Sequence, residues 1–223
     1  MTHDEVIAVL DRAEAALARG EGLAGTGFWK AVAAAKRDRA IAEEVAGRVG
    51  AIDRGAFENW ALITVPATVG TVLMTAGTLG GLALVWWAYS ADRPLNGFLL
   101  LAGTVVTLVT THGLAHAVVA AAGGMKVSHW FIGTLKRPQP GVKIDYSTYL
   151  LAPAVARARM HAAGAVMSKL VPFFALAPAV VMDAPAWTVS VLVILGIGQI
   201  VTDVLWSTKA SDWKKYRREM AYR

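Results

Sequence analysis

The segment Thr111-His112-Gly113-Leu114-Ala115-His116 lies near the end of a long apolar run. On a helix, His112 and His116 stand four residues apart and share one face. At that spacing two imidazoles reach a single zinc ion. The same spacing occurs in His-Glu-x-x-His helices, where the intervening glutamate takes a proton from water. Here the glutamate position is Gly113. The pair thus has metal-ligand spacing without the accompanying general base.

A third ligand is sought among ionisable residues inside apolar sequence, where charge is expensive and by default signals function. Asp203 sits in Ile200-Val201-Thr202-Asp203-Val204-Leu205-Trp206, with no lysine or arginine within a helical turn. Two histidines and one carboxylate form a common catalytic zinc set that leaves a fourth position for water. Such a zinc brings the pKa of its water to about 7 and polarises a carbonyl. The expected set is therefore zinc on His112, His116 and Asp203. The plainer reading is a histidine pair that hydrogen-bonds neighbouring helices. His161 is a further ligand candidate or an interfacial histidine, Lys169 is expected to snorkel toward the membrane face, and Gln199, one turn before Asp203, is placed to orient it.

The elements that must position these residues follow from composition. The chain has 223 residues, 56% of them hydrophobic, and a mean hydropathy of +0.47. Its charges cluster outside long uncharged runs, the pattern of a multi-span membrane protein. The absence of cysteine excludes disulfides and thiolate ligands. The net charge of +6 fits basic loops facing anionic lipid, with no nucleic-acid partner expected. No cleavable signal peptide is expected.

The sequence thus predicts an all-α integral membrane protein of about four transmembrane helices, with three regions. Residues 1–58 form an N-terminal cytoplasmic helical region. Thr2 and Glu5 have capping-box spacing, Val6, Leu10, Ala13 and Leu17 make one apolar stripe, and a second helix is expected from about Phe28 to Val49, ending at Gly50. Residues 59–207 form the membrane domain, with spans near Ala61–Tyr89, Leu95–Ala122, Ala162–Met182 and Ala186–Trp206. Gly77 and Gly81 give the first span a GxxxG spacing for close helix contact. Residues 208–223 form a basic cytoplasmic tail. Lysine and arginine crowd the segment before the first span, the second connection and the tail, whereas the first connection carries Arg93 alone and the third carries none. That asymmetry predicts both termini on the cytoplasmic side of the plasma membrane. It also brings His112, His116, His161 and Asp203 to similar depth. Between the second and third spans, β-prone runs from Lys126 to Ile132 and from Val142 to Tyr149 flank the turn-rich residues 133–141. They read as a hairpin-like membrane-associated segment, whose edge either pairs with an extended peptide or simply packs over the helices.

Over about residues 95–207 this order of elements resembles the site-2 protease family of intramembrane zinc metalloproteases. The matching elements are His112 and His116 on one span, the hairpin segment, the small-residue run Ala162-Ala163-Gly164-Ala165, and Asp203 near the end of the last span. The resemblance implies zinc held by His112, His116 and Asp203 on the cytoplasmic side, and a membrane-embedded peptide or protein as partner beside membrane lipid. The departures are Gly113 in place of the family's glutamate, Leu195-Gly196-Ile197-Gly198-Gln199 in place of an Asn- and Pro-containing stretch, and Val204 where a glycine follows the aspartate. The expectation is a metalloendopeptidase-like protein that binds zinc and lacks the usual base, a pseudoprotease. The alternatives are an active enzyme drawing its base from Asp145 or His161, and a non-catalytic scaffold or transporter using Asp203 and Lys169.

Overall fold

A computed structural model describes residues 1–135, 140–205 and 211–223. The chain divides into two compact units: residues 1–67, 120–157 and 221–223 form the first, and residues 68–119 and 158–220 the second.

The first unit opens with three helices, α1 (His3–Ala18), α2 (Phe28–Ala35) and α3 (Arg39–Glu58). The capping box starts α1: Thr2 Oγ1 accepts from Glu5 N at 3.3 Å, and Thr2 N donates to Glu5 Oε2 at 2.8 Å. Val6, Leu10 and Ala13 of α1 pack with Phe28 and Val32 of α2 and with Val45, Val49 and Ile52 of α3 in one buried core. The single helix expected over 28–49 is broken at 36–38, because Asp38 caps a new helix by accepting from Ala40 N and Ile41 N. Gly50 does not end that helix. It lies inside α3, where a Cβ would stand 2.9 Å from Ser147 Cβ.

The hairpin is present as β2 (Val127–Ile132) and β3 (Pro140–Ile144), paired antiparallel. The expected turn residues 136–139 lie outside the described residues. A strand not anticipated, β1 (Ile63–Pro66), pairs with β2 from Ile63 opposite Ile132 to Pro66 opposite His129, giving the order β1-β2-β3. As an edge strand, β1 tolerates the missing N–H of Pro66. The second β-prone run stops at Ile144, and Asp145 caps α6 (Tyr146–Leu151) instead; we number the intervening spans α4 (Ala67–Ala88) and α5 (Leu95–Ala122). Phe57 of α3 meets Phe131 of β2 edge-on at 5.1 Å, and Asp53 pairs with Lys143 of β3 at 2.5 Å.

The second unit is built from α4 and α5 up to Val119, with α7 (Ala154–Phe174) from Ala158, α8 (Leu176–Val181), α9 (Ala186–Leu205) and α10 (Asp212–Met220). Among the described residues, four helices are long and apolar enough to cross a membrane: Ala67–Ala88, Leu95–Ala122, Ala154–Val181 and Ala186–Asp203. The protein is an all-α membrane protein with one small sheet. Large apolar residues on these spans, such as Leu73, Leu79, Val180 and Ile194, are exposed. Lipid is the solvent that removes the cost of leaving them uncovered. The first span begins at Ala67 rather than Ala61, since 63–66 are the strand. The third begins at Ala154, eight residues earlier than expected. Gly81 and Gly103 bring α4 and α5 into close contact: a Cβ at Gly103 would stand 2.5 Å from Gly81 O. Threonine hydroxyls within α5 bond back one turn, Thr104 to Leu100 O and Thr111 to Thr107 O, which satisfies them without water.

Candidate metal centre

His112 and His116 occupy successive turns of α5, with ring centroids 4.8 Å apart and planes at 85°. Each is oriented through Nδ1 by the backbone of α7. His116 Nδ1 lies 2.7 Å from Met160 O. His112 Nδ1 lies 3.0 Å from Gly164 O and 2.7 Å from Ser168 Oγ. A carbonyl oxygen accepts and never donates, so both Nδ1 atoms carry their protons. In neutral rings this leaves the Nε2 lone pairs free for a ligand. Metal-binding histidines are commonly oriented by just such a bond at the other nitrogen.

Both Nε2 atoms face Asp212, at the start of α10. His116 Nε2 is 3.1 Å and His112 Nε2 3.5 Å from Asp212 Oδ2. The other carboxylate oxygen, Oδ1, accepts from Lys215 Nζ at 3.0 Å. The two oxygens are therefore divided, one to the ammonium and one to the imidazoles. Burial opposes charge on Asp212, but the His116 hydrogen bond and the Lys215 ammonium outweigh it and hold its carboxyl below the usual carboxylate range.

The ligand atoms of His112, His116 and Asp212 all lie within 4.8 Å of one another. Two donors at about 2.1 Å from one tetrahedral zinc stand about 3.4 Å apart, and the two imidazole–carboxylate distances bracket that value. Three such atoms converging on one point are held together by a shared proton or by a cation, and the group could hold a metal ion. A polar cavity of about 280 Å³ opens beside it, lined among others by His112, Ser168, Lys169, Gln199, Asp203 and Asp212.

Gly164 is what lets the group close. A Cβ there would stand 2.1 Å from His116 Nε2 and 2.6 Å from Cδ2 and Cε1. The small-residue run singled out in the sequence thus gives His116 its space and His112 its acceptor.

The third member of the group is Asp212, not Asp203. Asp203 lines the same cavity, but its carboxylate is taken by Lys169 Nζ, which also donates to Ala165 O at 3.0 Å. Lys169 therefore turns inward to Asp203 instead of snorkelling. The cation missing from the aspartate's own helix comes from α7. Gln199 lines the cavity, and its Nε2 has no hydrogen-bond partner among the described residues. His161 lies on α7 beside Met160, within electrostatic reach of Asp212 and Lys215, and stands outside the His-His-Asp group. Asp145 belongs to the first unit and is engaged: it caps α6 through Ser147 N at 2.9 Å and pairs with Arg54 at 3.2 Å. Gly113 is buried in α5 and supplies no base. Sequence reasoning passed over Asp212 because it follows the last span. Its signal was a Ser-Asp helix start with Lys215 three residues on.

No protein-family model, curated protein or solved structure matches this chain.

Proposed function

We propose that this membrane protein holds one zinc ion through His112, His116 and Asp212, as a site-2-protease-like protein that has lost, or nearly lost, peptide-bond hydrolysis. The observation that carries the reading is the common orientation of the pair: α7 carbonyls hold both Nδ1 atoms, so both Nε2 atoms face one carboxylate oxygen. A zinc bound there would polarise a carbonyl and acidify water. The residues orient and neutralise, but α5 offers no carboxylate base beside the pair. A general base contributes ~10²–10⁴-fold, and its absence at Gly113 favours holding a membrane-embedded peptide over cutting it. The lysine and arginine distribution supports placing the site on the cytoplasmic side of the plasma membrane.

The test is metal analysis of protein purified without chelator. Wild type and Asp203→Asn are expected to carry about one zinc per chain. His112→Ala, His116→Ala and Asp212→Asn are expected to lose it. Metal-free wild type, with a melting temperature unmoved by added zinc, would sink the proposal. Zinc lost in Asp203→Asn and kept in Asp212→Asn would move the site to the other carboxylate.

A second reading, a solute or proton pathway, is favoured by the Lys169–Asp203 pair on the cavity wall within two spans. It requires uptake into vesicles that disappears in Asp203→Asn.

A further inference from the structure

A second cavity, of about 580 Å³, runs between α5 and α7 and owes nothing to the metal group. Leu114, Ala115 and Val118 form one wall, and Ala162, Ala163 and Val166 the other. The alanines make it a groove, because larger side chains at those positions would fill it. His116 reaches Met160 while His112 reaches Gly164 and Ser168, so the two helices run antiparallel. Val119 and Arg159 therefore mark one end of the groove, and Thr111 and Met167 the other.

Among the described residues, Arg159 is the one charged residue in the lining. It is exposed, and no carboxylate among the described residues pairs with it. The span Ala154–Val181 has 28 residues, about 42 Å at ~1.5 Å per residue, against a hydrocarbon core of ~30 Å. For a span centred along the membrane normal, about 6 Å projects at each end. Arg159 lies about 7.5 Å from the start, at the edge of the hydrocarbon, and a helical side chain leans back toward its N-terminus, here toward the headgroups. From Arg159 to Met167 the groove descends about 12 Å, close to the ~15 Å depth of one leaflet. An apolar slot one leaflet deep, with an unpaired guanidinium at its headgroup end, has the form of a lipid site.

We propose that this groove binds one acyl chain of an anionic phospholipid, with Arg159 on the phosphate. Arginine suits this role because its planar fork meets phosphate oxygens two at a time. A zwitterionic lipid would fill the slot equally well but leave the net charge of Arg159 unmatched.

The test uses full-length protein in nanodiscs of phosphatidylcholine with an equal share of phosphatidylglycerol, followed by native mass spectrometry of the lipid retained on extraction. Wild type is expected to keep one phosphatidylglycerol with about fivefold preference, the ~1 kcal/mol of a single interfacial arginine. Arg159→Gln should retain a lipid without preference. Ala163→Leu, which fills the groove, should lose retention of both lipids. Lys214→Gln, an exposed tail lysine, should behave as wild type. An unchanged preference in Arg159→Gln overturns the proposal. So does an equal loss in Lys214→Gln, which would mean diffuse surface attraction, or retention of a co-purified peptide in place of lipid.

Discussion

Replacing Gly164 by alanine tests the proposed metal centre without touching any of its three members. At an ordinary helical position this change stabilises by up to about 1 kcal/mol. Here the added Cβ would stand 2.1 Å from His116 Nε2, whereas ordinary contact begins at 3.4 Å. The imidazole must therefore move by about 1.3 Å. It has little room, since His116 is 7% exposed and its Nδ1 is bonded to Met160 O at 2.7 Å. A shift of that size breaks this bond or carries Nε2 outside the ±0.2 Å tolerance of a metal–nitrogen bond. A closed four-ligand zinc site is worth about 10–16 kcal/mol, so one ligand represents about 3 kcal/mol, or roughly 100-fold in affinity. Overpacking adds a cost of about 1–3 kcal/mol that outweighs the helix-propensity gain. The assay is zinc affinity by competition with a chromogenic chelator, alongside thermal unfolding in detergent. Gly198→Ala is the comparator, because no atom lies within 4 Å of the added Cβ. It is expected to bind zinc as wild type does, with equal or slightly higher stability. Wild-type zinc affinity in Gly164→Ala would refute the placement of His116 against Gly164, and with it the convergence on Asp212.

Other outcomes follow from the same geometry. Lys169→Met strands Asp203 in the membrane and should cost on the order of 3 kcal/mol. Lys169→Met with Asp203→Leu should recover most of it, as a double-mutant cycle of melting temperatures would reveal. At Asp145, burial opposes the charge, but hydrogen bonds from Ser147 and Thr148 and the Arg54 guanidinium outweigh it and lower the pKa. A depressed carboxyl pKa gives stability that is fully present above the unfolded value near ~3.9 and is lost as pH falls through the native one. Asp145→Ala should therefore cost about 1 kcal/mol at neutral pH, flatten acid unfolding below about pH 4, and leave zinc content unchanged, all measurable by circular dichroism and metal analysis. Gly113→Glu restores the base position. If the base is all that is missing, zinc-dependent cleavage of a synthetic transmembrane peptide should rise ~10²–10⁴-fold. A variant that binds zinc and cleaves nothing would show that more than the base has been lost.

The spans were legible because length and apolarity are properties of a run of residues, whatever its neighbours. Leu95–Ala122 could be bounded from sequence alone on that basis. The boundaries that failed are those where apolar character serves two structures. Ile63-Thr64-Val65 reads as the start of a span, yet its backbone pairs with β2, and no periodicity separates a short buried strand from a helix end. Tyr146-Ser147-Thr148-Tyr149 is β-prone by composition, but Asp145 supplies a helix cap that overrides it. The histidine pair was legible for the opposite reason: both residues lie on one helix, so the 3.6-residue period alone fixes their common face.

The carboxylate could not be read in the same way, because it depends on which cation reaches which acid. Asp203 and Asp212 both line the cavity beside His112, and depth alone does not choose between them. The choice is made by two lysines. Lys169, from a different helix, pairs with Oδ2 of Asp203 and offsets its charge within the membrane. Lys215, one turn along the same helix, takes only Oδ1 of Asp212 and leaves Oδ2 to the imidazoles. Each ammonium engages one oxygen of its acid, and among the described residues it is Asp212 that turns its other oxygen to the two Nε2 atoms. The candidate metal centre is thus specified as much by where the ammonium groups fall as by the histidines, and that pairing exists only once α7, α9 and α10 have packed.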